Sequence, residues 1–412
     1  MGREEIIVGL DIGTRKICTV IGENGINETF EIIGVGISPS LGVKKGIIVD
    51  LDQAIQAVRQ SIESAERMAG VKVKSAFISV GGSHINSVNS KGVIAVSEEN
   101  LEITEKDIEK VIEAAKAGIV SPDRALIHTL SREFIVDGQG GIPDPLGMTG
   151  ARLECKVHII TGSHIAIQNL IKCLEGAKIG INEVVFSPLA SSNIVLSDAE
   201  KELGTLLIDI GGGTTEIAIF FEGVLVYSAV LPLGGTHITN DLAIGLRTTL
   251  EEAERIKINY GRALENGTVP EGTVEVSSLD GSNKYPVQRK YIIEIIEPRV
   301  SEIFHLIKNE VKRSGYFNAL PAGITITGGS SLLPGITEIS EKILNSPTRL
   351  GKPQYEGELA EMVNDPAYST ALGLLSYSTK NYSFNQFYHT NPNKSGIKNF
   401  IERAINWLKD FF

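Results

Sequence analysis

Two apolar runs, each broken by an acid and then by glycine, set the rhythm of this chain. Leu206–Phe220, LLIDIGGGTTEIAIF, reads as a buried strand carrying Asp209, a turn over Gly211, Gly212 and Gly213, and a second strand. Ile6–Ile21, IIVGLDIGTRKICTVI, repeats that plan with Asp11, Gly13 and Thr14. One pair of such units, far apart, predicts two related halves rather than a solenoid. The turn glycines are expected to supply positive φ and close approach to a ligand. Successive N–H groups in such a turn form a concavity that suits an anion. An acid at its mouth suits a cation or a water. Either turn alone fits a plain hairpin; the echo favours a phosphate chain and its metal held between two facing turns.

The intervening patterns build an α/β chain. Glu31–Ile37 and Ala76–Val80 read as strands, and Asp50 caps a helix over Leu51–Ala69 that Gly70 ends. Ile55, Val58, Ile62 and Ala65 give that helix its buried stripe. From Gly82 to Arg152 the texture changes. Strands at Gly92–Val96, Leu126–Leu130 and Glu133–Val136, a helix Glu105–Ala117 begun by Thr104 and Asp107, and a Pro/Gly loop Gly138–Gly150 predict an inserted domain. The α/β pattern is expected to resume at Lys156–Thr161, with a helix Ser163–Gly176, a strand Ile181–Phe186 and a helix after Pro188. Helices follow at Thr239–Leu246 and Leu250–Tyr260. The second sets Glu254 and Lys257 three apart on one face, as a solvated ion pair or a bracket for a nucleoside. Ile292–Arg313 predicts a long helix that Pro298 kinks or breaks. Gly323–Leu333 reads as strand, glycine turn and helix start, with Gly328 and Gly329 allowing a flat ring or phosphate to come close. Asp365–Ser378 is the last helix of the globular part.

Thr379–Ser395 is polar and reads as a flexible linker. Beyond it, at about 100° per residue, Ile397, Phe400, Ile401, Ala404, Ile405, Trp407, Leu408, Phe411 and Phe412 fall on one side of a helix, and the polar residues on the other. Trp and Phe on such a face suit a lipid headgroup boundary. Each large apolar side chain contributes about 1.5–3 kcal/mol when fully buried. Glu402 and Asp410 offset most of the tail's basic charge, so apolar insertion drives binding more than attraction to anionic lipid does.

With 412 residues, 42% hydrophobic and 22% charged, the chain has room for two or more domains. A net charge of −11 argues against non-specific nucleic-acid binding, and no nucleic-acid partner is expected. Cys18, Cys155 and Cys173 share no metal or redox spacing and read as reduced thiols. The start MGREEIIVGLDIG fits neither a signal peptide nor a myristoylation site.

The two Asp–Gly hairpins and ITGGSSLLPG resemble the phosphate-1, phosphate-2 and adenosine motifs of the actin/Hsp70/sugar-kinase superfamily. The insertion, HIITGS, PLASSNIVL, EAERIKINYG, EIIEPRV and the tail resemble the FtsA family of bacterial division proteins over essentially the whole chain. The resemblance implies an α/β fold of the actin-like (ribonuclease H-like) two-domain ATPase type, with an inserted 1C subdomain and a C-terminal amphipathic helix. It implies subdomain 1A at 1–81 and 153–203, 1C at 82–152, 2A at 204–240 and 312–379, 2B at 241–311, a linker at 380–395 and the membrane helix at 396–412. It implies ATP and Mg in the cleft. Asp11 and Asp209 match the acids that hold the metal through water. Gly13, Thr14, Arg15 and Lys16 match the first phosphate loop, and Gly211, Gly212, Gly213, Thr214 and Thr215 the second. Glu254, Lys257, Gly328, Gly329 and Ser330 match nucleoside contacts, with SSLL standing where many relatives keep a third glycine. The implied partners are the chain itself in a filament, the FtsZ C-terminal tail near Arg289, Lys290 and Arg299, later division proteins through 1C, and the lipid surface at the cytoplasmic face of the cell membrane at midcell. A pilus-assembly protein of the PilM kind and a cell-shape filament of the MreB kind are the alternatives. Relatives of the MreB kind carry a glutamate where this chain has Ser187, and serine alone is a poor base. Firm ATP binding with weak or absent hydrolysis is the expectation.

Overall fold

A computed structural model describes residues 6–25, 29–96, 100–264 and 272–388, the stretch 380–388 by backbone alone. Two five-stranded sheets carry the molecule. In spatial order the first is Gly180–Phe186, Ser75–Val80, Ile6–Ile12, Lys16–Asn24 and Phe30–Pro39. The second is Thr348–Leu350, Ile324–Thr327, Thr205–Ile210, Thr215–Phe221 and Val224–Leu231. Each is a three-strand antiparallel meander with two later strands added in parallel beside its first strand. The repeated apolar run therefore heads two copies of one topology.

Helix Leu51–Ala69 forms where its caps place it. Asp50 accepts from the Gln53 N–H at 3.0 Å, and Gly70 takes φ 69° at the far end. Ala54, Ala57, Val58, Ile62 and Ala65 bury against Val8, Leu10, Ile17 and Ile21 of the first sheet. A side-chain carbon at Gly36 would lie 1.9 Å from the Ser61 carbonyl oxygen, so the glycine lets the helix ride close to the strand.

The insertion is a separate layer. Its sheet runs Asn86–Ala95, Arg152–Ser163, Arg124–Val136, Gln139–Ile142, with helix Glu105–Lys116 packed on it around Val111, Phe134, Leu153 and Val157. Three expectations are corrected here. Arg152–Ser163, expected to return the chain to the first domain at 153, pairs on both sides within the insertion, so a boundary at 152 cuts off that strand. The expected pair Leu126–Leu130 and Glu133–Val136 is one strand interrupted by a bulge. The Gly138–Gly150 loop holds a fourth strand, Gln139–Ile142.

In the second half one core runs from Leu206 and Ile208 through Ile238, Leu242 and Ile256 to Val276 and Ile307, so expected boundaries at 240 and 311 divide no core. Helix Arg289–Ser314 continues through Pro298, so of the expected kink or break the break is ruled out. Buried Ile292, Ile293 and Ile296 before the proline, and Val300, Ile303 and Phe304 after it, hold both segments to the same core. Helix Ser369–Tyr388 extends beyond Ser378, so the expected linker starts inside a helix. The expected amphipathic helix at 396–412 lies outside the described residues. Among the described residues no helix is long and apolar enough to cross a membrane.

Candidate functional site

The two Asp-bearing turns face each other across a cleft of about 360 Å³. None of Gly13, Gly211, Gly212 and Gly213 has positive φ, so the expectation that they turn the chain by left-handed backbone is corrected. Crowding is the reason for glycine instead. A Cβ on Gly212 would lie 2.4 Å from Arg15 Cγ, and one on Gly213 would lie 2.7 Å from Thr14 Oγ1. The second turn thus packs on the first, and Thr14 in turn accepts from the Gly46 N–H at 3.2 Å.

Asp11, Gly13, Thr14, Arg15, Lys16, Asp209, Gly211, Gly212, Glu254, Lys257, Gly328, Gly329 and Ser330 all line this cleft. Thr214 lines a smaller chamber of about 90 Å³ that shares Asp11, Asp209 and the turn glycines with it. Two expected residues are not brought to the cleft. Gly213 is used against the opposite turn, and Thr215 is fully buried with its hydroxyl donating to the Leu233 carbonyl at 2.9 Å.

The acids are held by hydroxyl groups, with the Lys16 charge nearby. Ser79 Oγ donates to Asp11 at 2.7 Å, and Thr370 is 3.4 Å from Asp209. Burial pushes Asp11 above the usual carboxylate range, against the Ser79 bond and the Lys16 charge. Burial, then the Asp11 charge, pushes Asp209 up to about 7. Glu216, opposite Asp209 in the strand register, is pushed to about 8 by burial and then by Asp209. Buried acids raised together in this way are the environment a cation relieves. Among the described residues no three His, Cys, Asp or Glu side chains are arranged to hold a metal. A Mg ion fits this site only with water and phosphate oxygens completing its shell.

At the other end of the cleft, Lys257 Nζ reaches Glu254 at 2.8 Å, the Thr239 hydroxyl at 2.9 Å and the Gly235 carbonyl at 3.2 Å. Burial pushes Glu254 up, but Lys257, Thr239 and Arg15 outweigh it and keep the acid below its ordinary range. Arg15 crosses the cleft to Glu254 at 3.5 Å. Lys16 stands 3.9 Å from the centre of the Tyr368 ring. Gly328 does need glycine: its φ is +85°, and a Cβ would lie 2.3 Å from Asp209 Oδ1. Ser330 donates to the Gly211 carbonyl at 3.0 Å and ties this third turn to the turn after Asp209. Ile238, Ile258, Leu332, Leu333 and Pro334 supply apolar walls for a flat ring.

Sequence reading missed Ser79, Thr370, Gly235 and Glu216. The first three carry no local signal. Glu216 did carry one, being the single charge in an otherwise uncharged buried strand. The three basic residues marked for a peptide partner do not form one patch. Arg289 stacks 5.2 Å from the Tyr260 ring and Lys290 follows it in the first turn of its helix. Arg299 lies roughly 15 Å further along the axis, bonded to Asp241 at 2.6 Å and to Glu302.

Residues 206–373 match the family model described as cell division protein FtsA, and 82–161 match the SHS2 domain inserted in FtsA. The second match ends within Arg152–Ser163, in keeping with that strand's place in the insertion sheet. The chain is 41% identical over 415 residues to cell division protein FtsA of Pseudomonas aeruginosa, covering 99% of this chain and 98% of that one. Among solved structures, the PilM–PilN type IV pilus biogenesis complex is similar at a TM-score of 0.68 and 15% identity, over 90% of this chain and 98% of that one. MreB 5 of Spiroplasma citri bound to AMPPNP is similar at 0.55 and 15%, over 92% and 99%. These likenesses place the fold among the actin-like ATPases.

Proposed function

Because this chain belongs to the FtsA family of cell-division proteins, we propose that it binds ATP with Mg between the facing turns and assembles into filaments. In this reading residues 396–412 hold it to the cytoplasmic face of the cell membrane at midcell. There it tethers FtsZ and recruits later division proteins through the insertion. The observation that carries the reading is the pair of Asp-bearing turns packed against each other at one end of a cleft, with an ion-paired Glu254–Lys257 and apolar walls at the other. That arrangement matches a ligand with an anionic chain at one end and a flat ring at the other. Lys16 and Arg15 supply charge for the phosphates, and Asp11 and Asp209 would hold Mg through water.

The FtsZ tail, an acidic and apolar peptide, fits a groove of about 420 Å³ lined by Leu246, Arg247, Tyr285, Val287 and Tyr291. Arg289 and Lys290 open the helix that carries Tyr291. Arg299, neutralised by its own two acids, is left out of this binding surface.

Vesicle co-sedimentation tests the whole reading. The full chain should carry FtsZ into the pellet with phosphatidylglycerol-containing vesicles, more so with ATP and Mg. A chain lacking 396–412 should leave both in the supernatant. Undiminished pelleting of the shortened chain sinks the membrane assignment.

A further inference from the structure

Strand Thr215–Phe221 carries one charged residue, Glu216, only 7% exposed. Its Oε1 accepts from the Gly82 N–H at 2.9 Å, the Thr214 hydroxyl also bears on the carboxylate, and Oε2 is buried without a hydrogen bond of ordinary geometry. The surroundings are built around this carboxylate. A Cβ on Gly81 would lie 2.1 Å from Oε1, so the glycine leaves the carboxylate its present place. Glu216 lines the chamber of about 90 Å³ together with Ser187, Thr214, Asp11 and Asp209. A water occupies roughly 30 Å³ of liquid, so the chamber has room for ordered water beside the phosphate turns. A buried carboxylate oxygen short of donors is unfavourable, a deficit a water in the chamber removes.

We propose that Glu216 orients the water that attacks the terminal phosphate of ATP, supplying from the second half the carboxylate that position 187 lacks. The inference rests on the ATP-binding reading above. In the step, the water oxygen forms a bond to the terminal phosphorus. The bond from that phosphorus to the bridging oxygen breaks, and its electron pair leaves on ADP. The water's proton passes to the released phosphate. Glu216 accepts the hydrogen bond that fixes the water's direction. Weak hydrolysis, expected from Ser187 alone, gives way to measurable turnover governed by Glu216.

The test uses the full chain on phosphatidylglycerol-containing vesicles with Mg at pH 9, where the Glu216 side chain is ionised. Glu216→Gln retains an oxygen for the Gly82 N–H but turns an acceptor pair into an amide. Single-turnover phosphate release should fall about ten-fold or more, while calorimetric affinity for AMPPNP stays within about two-fold. Hydrogen exchange at Gly82 should stay as slow as in the parent, which separates water positioning from loss of the Gly82–Glu216 bond. Adding Ser187→Glu to Glu216→Gln should restore release by returning a carboxylate to the same chamber. Equal release by parent and Glu216→Gln overturns the inference alone, as does a parent that binds AMPPNP and releases no phosphate. A parent that fails to bind AMPPNP overturns the ATP reading together with it.

Discussion

At the scale of single residues, Asp209 and Glu216 make an unusual pH signature. Each is an acid whose folded-state value, about 7 and about 8, lies above its ordinary 3.8 and 4.5. The native state then binds more protons than the unfolded chain, and stability falls as pH rises towards those values. His84, His128 and His158 act in the opposite direction. Burial lowers each to about 4, and their contribution grows as pH climbs to about 6.5 and then levels off. Above about 6.5 the acids decide the sign. Without metal or nucleotide, the melting temperature should drop between pH 6.5 and 8.5, and Glu216→Gln should flatten that drop. An identical slope in both proteins counts against a buried, raised Glu216. The glycines teach a different lesson. Their presence at the turns was legible, but their reason was not, because crowding by Arg15 and Thr14 comes from a turn some 200 residues away in the chain.

Elements with local caps and a clear period were legible to the residue. Leu51–Ala69 and Leu250–Tyr260 have the bounds read from their pattern. Where pairing decides, the reading failed. The gap between two expected strands falls on Arg132, which the register skips: Lys156 faces Glu133 and Val157 faces Ser131. The bulge frees Arg132 to bond the Tyr316 hydroxyl of the second half at 2.6 Å. Strand Asn86–Ala95 meets Val224–Leu231 in a similar way, through side chains. Ser87 donates to the Ser228 carbonyl at 2.6 Å, Asn89 donates to the Val226 carbonyl at 3.0 Å, and His158 lies between Asn89 and Ser228. Asn89→Ala strands a buried imidazole nitrogen and a carbonyl, at a cost of about 1–3 kcal/mol. Hydrogen exchange should quicken along Asn86–Ala95 and Val224–Leu231 while Leu51–Ala69 is unchanged. Uniform acceleration across the molecule would mean that the contact belongs to global stability instead.

For the molecule as a whole, the paired topology was legible from one echoed motif, whereas the insertion's extent was not. Lys156–Thr161 is as apolar and alternating as a first-domain strand, and only its neighbours assign it. The two halves meet at the cleft through Arg15 and Glu254, a pair at 3.5 Å whose arginine is half exposed to solvent. A contact of that kind contributes about 0–1 kcal/mol to stability, so Arg15→Ala should leave the melting temperature nearly unchanged. In the proposed ATP reading the same change removes a cation from beside the phosphates. Loss of one charge-assisted hydrogen bond, ~1.5 kcal/mol, weakens AMPPNP about ten-fold by calorimetry. Unaltered affinity would assign Arg15 to closure of the cleft alone.

The two sheets with one strand order carry a last implication. A scaffold made of matching halves presents near-mirrored grips, but a nucleotide has a head and a foot that differ. In the proposed ATP reading, likeness between the halves matters where both would face the phosphates, at Asp11 and Asp209. At the other end of the cleft, the second half alone supplies Glu254 and Lys257. Its twin, freed from that duty, opens at Gly82 into a whole extra layer.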